Sequence, residues 1–239
     1  MKKQKVAFIA PILGVASAFA GDVAPVQVQP PAVVENPCCL SPYIGISGVF
    51  GEQQIEANNP FLADFYNGEQ DYDVTGIRVI GGLGLGNGVS MDGRYEHLNG
   101  DSSFDSDEFR AMLNYEREIA QGLSLVGGVG YGWLNHDYSN VDISSSGILL
   151  NAGAKFTSGQ FFSSLFYTHS FTQSSELEFG NAPKFIVDLD KEDTGFLEAT
   201  VGYNITEQLA ATLAVETQVT GDTLIEKDWV AAIGLQYKF

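Results

Sequence analysis

From Pro42 to Phe239 the chain repeats one pattern: apolar side chains recur at every second position, and the apolar set carries no charge along its middle. Val89, Met91, Gly93 and Tyr95 alternate with Ser90, Asp92, Arg94 and Glu96. Phe109, Ala111, Leu113 and Tyr115 stand opposite Arg110, Asn114 and Glu116. A period of two is the period of a strand, with successive side chains on opposite faces. The clean face and the ionic face then decide the class. A soluble barrel turns its apolar face inward and its charges out. Here the second face of the segments collects Arg78, Asp92, Arg94, Glu96, Arg110, Glu116, Lys155, Glu198 and Glu216, and it shares them with glycines. Such a face is too polar for a dry core. A Lys or Arg at mid-depth on a lipid-facing strand costs about 2–4 kcal/mol, which keeps that face free of charge. The expectation is an all-β transmembrane barrel, apolar face to lipid, ionic face enclosed.

Ten segments can be counted, starting near Tyr43, Tyr72, Val89, Glu108, Leu123, Ile148, Phe161, Leu197, Leu209 and Trp229. The seventh, about 161–171, is aromatic on both faces, so its orientation stays open. Four connections are tight, at 86–88, 120–122, 157–159 and 206–208. Five are longer and polar, at about 51–70, 99–107, 135–146, 172–193 and 220–227. Strict alternation of short and long connections predicts an antiparallel up-and-down barrel of ten strands with both ends on the turn side. Eight strands is the alternative, if the hairpin at 43–85 or at 209–227 lies elsewhere. A barrel of this size leaves a narrow interior that side chains largely fill. Trp133 and Trp229 fall toward the long-loop rim, and Phe156, Tyr203, Tyr237 and Phe239 toward the turn rim, as interfacial aromatics would.

The first twenty residues have the form of a cleaved secretory signal: Lys2, Lys3 and Lys5, an apolar run over 6–19, and Ala18-Phe19-Ala20 before Gly21. Removing them takes away three Lys and no acid, so the net charge of −18 becomes −21. So acidic a chain is unsuited to nucleic acid. Residues 21–41 hold Pro25, Pro30, Pro31 and Pro37 and read as a proline-rich periplasmic linker ahead of one domain, 42–239.

The terminal strand, Trp229 to Phe239, ends in Phe with Tyr237 two residues before it. This resembles the C-terminal assembly signal of bacterial outer-membrane β-barrels. The whole pattern over 42–239 is similar to the small outer-membrane superfamily that holds the OmpA, OmpX and opacity-type proteins. The resemblance implies an outer-membrane location and contact with outer-membrane lipid and lipopolysaccharide. It also implies recognition of Tyr237 and Phe239 by the barrel assembly machinery. It implies no cofactor and no metal.

The expected function is non-catalytic: a structural or narrow porin-like barrel whose charged residues either plug the lumen or form a constriction. A loop-presenting adhesin or antigen is the alternative, and an outer-membrane hydrolase a more distant one. His169-Ser170, near Glu176 and Glu178, resembles the lipid A deacylase barrels, but adjacent strand residues point to opposite faces. Asp105, Asp107, His136 and Asp137 resemble the paired dyads of ten-stranded outer-membrane proteases, at loose spacing. The acidic segment Asp188 to Asp193 lacks the glycine and distal glutamate of a calcium loop and reads as solvated. Cys38-Cys39 can pair internally, pair with another chain, or stay idle in the linker.

Overall fold

The computed structural model describes residues 40–55, 70–100, 104–138, 141–179, 185–188, 193–221 and 225–239. The expected signal peptide, most of the linker, Cys38 and Cys39, and the acidic residues 189–192 lie outside the described residues.

Among the described residues there are eleven strands and no helix. In chain order they are β1 (Ser41–Ile55), β2 (Gln70–Gly86), β3 (Val89–Gly100), β4 (Phe104–Ala120), β5 (Leu123–Tyr138), β6 (Val141–Ser158), β7 (Phe161–Phe179), β8 (Phe185–Asp188), β9 (Thr194–Asn204), β10 (Leu209–Thr220) and β11 (Ile225–Lys238). All pairings are antiparallel. Neighbours in sequence are neighbours in space from β1 to β7. β7 then pairs with β9, β9 with β10, and β10 with β11. β11 returns to β1, with Tyr43 opposite Lys238 and Glu52 opposite Trp229. Ten strands therefore close the wall, and the short β8 is a ribbon on the upper part of β7. Closure pairs the edge backbone groups that a bilayer would leave unsatisfied. Both hairpins that an eight-stranded count would have displaced are part of this wall.

The outward face is the apolar one. Ile44, Ile46 and Phe50 on β1, Leu125, Val129 and Trp133 on β5, and Ile233, Leu235 and Tyr237 on β11 are all exposed, Ile233 by 57%. In water so large an apolar surface would be a liability; as a belt around a closed barrel it is the lipid-facing surface of a membrane-spanning protein. β7 takes its orientation from its partners. Phe161, Tyr167 and Phe171 point out, and Phe162 packs inward over Gly202. Aromatics gather at both edges of the belt: Phe109 and Trp133 (centroids 5.5 Å apart) and Phe50 and Trp229 (6.1 Å) at one, Phe161 and Tyr203 (4.9 Å) and Tyr237 and Phe239 (5.2 Å) at the other.

At the turn end, Asn87 adopts φ 53° between Gly86 and Gly88, both also at positive φ, which makes the two-residue turn that the Gly-Asn-Gly run requires. The chain ends meet there, with the Phe239 amide donating to the Pro42 carbonyl at 3.0 Å.

The opposite end departs from expectation. Segments 99–107 and 135–146, expected as loops, are mostly strand. β4 begins at Phe104, β5 runs to Tyr138 and β6 starts at Val141. β7 continues to Phe179 through a bulge at the Ser146/Gly147 level. The cause is physical. Beyond the lipid, a strand no longer needs an apolar outer face, so the ladder continues while the outward residues turn polar. The 19 residues of β7, at about 3.4 Å each and tilted about 40°, rise about 50 Å, roughly twice the apolar belt of such barrels.

Candidate functional site

The lumen holds two stacked layers. The lower one is ionic. Arg78, Arg94, Arg110 and Lys227 meet Glu96, Glu108, Glu198 and Glu216, four cations to four anions. Glu216, 1% exposed, is the hub. It accepts from Arg94 Nη1 and Nη2 (2.7 and 3.2 Å), Arg110 Nη1 and Nη2 (3.1 and 3.1 Å) and Lys227 Nζ (2.9 Å). Arg94 also reaches Glu198 (2.8 Å) and Glu108 (3.2 Å). Arg78 donates through Nε to Glu96 (2.6 Å), and Lys227 reaches both Glu96 (2.9 Å) and Glu108 (3.0 Å). Arg110 pairs with Glu108 and lies over the Phe196 ring, 4.7 Å from its centroid.

Cross-strand register explains why these partners are distant in sequence. Arg94 lies opposite Arg110, Glu96 opposite Glu108, and Glu198 opposite Glu216. Like charges opposed on a sheet destabilise it. The arginines of β3 and β4 are compensated across the lumen by the glutamates of β9 and β10, whereas Glu96 is met by Arg78 directly opposite it on β2, Glu108 by Arg110 on its own strand, and both by Lys227 of β11.

The upper layer is apolar. Tyr72, Val74, Leu98 and Phe104 stand rimward of Arg78, Glu96 and Glu108 on their strands and belong to a small buried core that also takes in Val49, Ala214, Val230 and Ala232, the last three on the turn side of Glu216 or Lys227 along β10 and β11. Phe104, 1% exposed, stacks on Tyr72 at 5.8 Å and on His136 at 5.7 Å. The charged side chains expected to fill the lumen are joined by this apolar layer, of which Phe104 alone falls in a segment expected as loop.

Not every expected lumen residue joins the ionic layer. Asp92 sits nearer the turns and accepts from the Tyr43 hydroxyl (2.6 Å), Ser90 (3.1 Å) and Asn114 (2.5 Å). Glu116 and Lys155 form a separate, partly exposed pair at 2.8 Å. Arg78, Arg94, Glu96, Arg110, Glu198 and Glu216 are brought together. Glu108 and Lys227 complete the set and were not singled out: Glu108 stands at the very start of the fourth expected strand, and Lys227 falls in the loop expected at 220–227. The signal available was parity: Glu108 falls in step with Arg110, and Lys227 stands opposite the inward Gln53 of β1.

The hydrolase-like constellations do not assemble. Asp105, Asp107 and Asp137 lie on the outer face of β4 and β5, while His136 is buried in the lumen. His169 pairs outward with the Tyr167 hydroxyl (3.1 Å), and Ser170 takes the opposite face. The Asp–His pairs that do form are a looser contact of His169 with Asp193, at 3.9 Å, and Asp107 with His97, at 2.9 Å, with the Tyr95 hydroxyl donating to the same Asp107 oxygen at 2.5 Å. These bonds hold the Asp107 carboxyl below its usual range. Burial, with the facing carboxylates of Asp142, Asp105 and Asp107, holds Asp137 above it. Glu52, Asp71 and Asp228 bring carboxylate oxygens within 4.8 Å of one another. Three protein oxygens are fewer than the six to eight that Ca²⁺ takes.

No protein-family model matches the sequence. No curated protein matches it either. Among solved structures, the outer-membrane protease OmpT from Escherichia coli is similar at 12% identity, over 84% of this chain and 96% of that one, with a TM-score of 0.46. The translocator domain of the autotransporter NalP from Neisseria meningitidis is similar at 11%, over 84% and 88%, at 0.45. The attachment invasion locus protein Ail of Yersinia pestis is similar at 10%, over 84% and 99%, at 0.40.

Proposed function

We propose that this protein is an integral barrel of the bacterial outer membrane, with a lumen closed to solutes, that carries a tall polar rim at the cell surface. Its role is structural and surface-presenting rather than catalytic. The observation that supports this most is the two-layer filling of the interior: a charge-balanced ionic layer beneath a buried apolar one. Ions entering the lumen would have to displace both. The rim supports the surface-facing role, since the strands continue well past the apolar belt. The exposed terminal pair Tyr237 and Phe239 supports reading by the assembly machinery, and deleting Phe239 should slow insertion in a reconstituted assembly assay.

The test is conductance in planar bilayers. The purified full chain should show no stable channels, and Arg94→Ala should produce ion-permeable openings by removing the cation shared by Glu108, Glu198 and Glu216. Stable unitary conductance from the unaltered protein would reject the closed lumen. It would favour the narrow-pore alternative, with the same ionic layer as its constriction.

A further inference from the structure

On the outer wall a row of aromatic residues runs into a pair of serines. Tyr95, Phe109 and Trp133 lie side by side across β3, β4 and β5, and the row continues as Ser146 on β6 and Ser174 on β7. The drop from large rings to small side chains at one level leaves a groove of about 350 Å³. Small-ligand sites span about 300–1,000 Å³. The row two residues farther from the turns is polar. There Asp107, Asn135 and Ser144, adjacent on β4, β5 and β6, form the upper lip of the groove.

Both walls are held in place. Phe109 and Trp133 pack with centroids 5.5 Å apart, and Tyr131 packs edge-on to Trp133 at 4.6 Å. Ser146 bonds the Tyr131 hydroxyl (3.0 Å) and Ser174 (2.8 Å), which fixes the serine wall. The Tyr95 hydroxyl and His97 Nδ1 both bond Oδ1 of Asp107. The carboxylate is thereby oriented, and its second oxygen is left for another donor. Asn135 adds an amide and Ser144 a hydroxyl, both on exposed residues.

Two adjoining chemistries set the occupant. Aromatic faces carry a negative quadrupole, which suits weakly positive C–H groups. A sugar ring offers a C–H face and bears hydroxyls around its edge, which a carboxylate, an amide and a serine can meet. The groove is also continuous with the lipid-facing belt. Directly beneath it come Tyr131, Ile148 and Phe171, and then Val129 and Leu150. An occupant seated there has water above it and hydrocarbon below it. A sugar that carries acyl chains matches both sides.

We propose that this groove seats the sugar headgroup of a membrane glycolipid. The ring stacks on the Phe109–Trp133 side, the hydroxyls meet Asp107, Asn135 and Ser144, and the acyl chains lie along the belt. The inference rests on the reading of the chain as a membrane barrel and not on whether the lumen conducts.

The experiment uses the full chain in phosphatidylcholine nanodiscs that carry glucosyl-dioleoylglycerol, with dioleoylglycerol as the sugar-free control. Native mass spectrometry counts the lipid retained. Trp133 emission is followed in a Trp229→Phe background, which leaves Trp133 as the sole tryptophan. One glucosyl lipid per barrel and a saturable change in emission are expected, with neither for dioleoylglycerol. Asp107→Ala combined with Asn135→Ala should weaken retention about tenfold. Trp133→Leu, which keeps the outer face apolar, should weaken it too, and Ser146→Trp, which fills the groove, should abolish it. Heat-modifiable gel mobility identifies the folded variants. Equal retention of the two lipids by the inserted chain, or unchanged retention in the folded variants, overturns the proposal. So does displacement by methyl glucoside in the aqueous phase at matched concentration, which would assign the groove to soluble sugars. A chain that fails to enter nanodiscs would refute the barrel reading, and this inference with it.

Discussion

Glu216 offers the sharpest test of the ionic layer. It takes five charge-assisted hydrogen bonds: two from Arg94, two from Arg110 and one from Lys227. At about 1.5–3 kcal/mol each these would sum to roughly 7–15 kcal/mol. That total overcounts, because desolvating the carboxylate opposes it. Removing one partner of a buried ionic set costs about 3–5 kcal/mol, since the remaining charges stay buried without compensation. Glu216→Gln keeps the shape and removes the charge. It should lower the unfolding free energy by about 3–5 kcal/mol, measured by urea titration of the vesicle-folded protein with gel mobility and tryptophan emission as readouts. Pairing Glu216→Leu with Lys227→Met removes one charge of each sign, restores neutrality and should recover about half of the loss. A cost for Glu216→Gln below about 1 kcal/mol, or strictly additive losses in the double variant, would refute the view that these residues act as one balanced unit.

Three further outcomes are expected. Val129→Arg places a cation at mid-depth on the exposed face of β5 and should cost about 2–4 kcal/mol in the same titration; no measurable loss would contradict a lipid-facing surface. A Cβ at Gly130 would collide with the Ala111 carbonyl and the Met112 sulfur, whereas at Gly127 the nearest atom is 3.9 Å away. Gly130→Ala should therefore destabilise by about 1–3 kcal/mol and Gly127→Ala should not, and equal effects would contradict the assigned faces. For Asp137, whose folded-state carboxyl titrates above its ordinary range, the folded chain binds the proton more readily than the unfolded one, so rim stability falls as pH rises through that interval. Asp137→Asn should flatten this dependence and stabilise the β5–β6 rim by about 0.5 kcal/mol at neutral pH; amide exchange at rim positions would show it, and an unchanged pH profile would count against it.

The strand alternation made most of the architecture legible before any coordinates. Within the belt the rule is strict, because each backbone group must pair and each outward residue must suit hydrocarbon. The same rule hid the rim. Segments such as 104–108 and 135–146 carry outward acids and serines, which resemble loop composition, yet they pair as strands because water tolerates polar residues on an outer face. Reading 99–107 as loop hid Phe104 from the apolar layer, and reading 220–227 as loop hid Lys227 from the ionic one. The orientation of β7 was not legible for a different reason. Phe161 and Phe162 are equally apolar, and only pairing with β6 and β9 decides which one meets lipid.

The ionic layer also bears on how the cylinder forms. Arg78, Arg94, Arg110, Glu96 and Glu108 sit on the first four strands and sum to one positive charge, while Glu198, Glu216 and Lys227 sit on the last three and sum to one negative charge. An open sheet would hold these two groups apart, each incompletely neutralised. Curling the sheet shut is what cancels them, so the seam between β1 and β11 is drawn together by residues that lie on neither edge's outer surface, and a half-rolled intermediate gains little by stopping short.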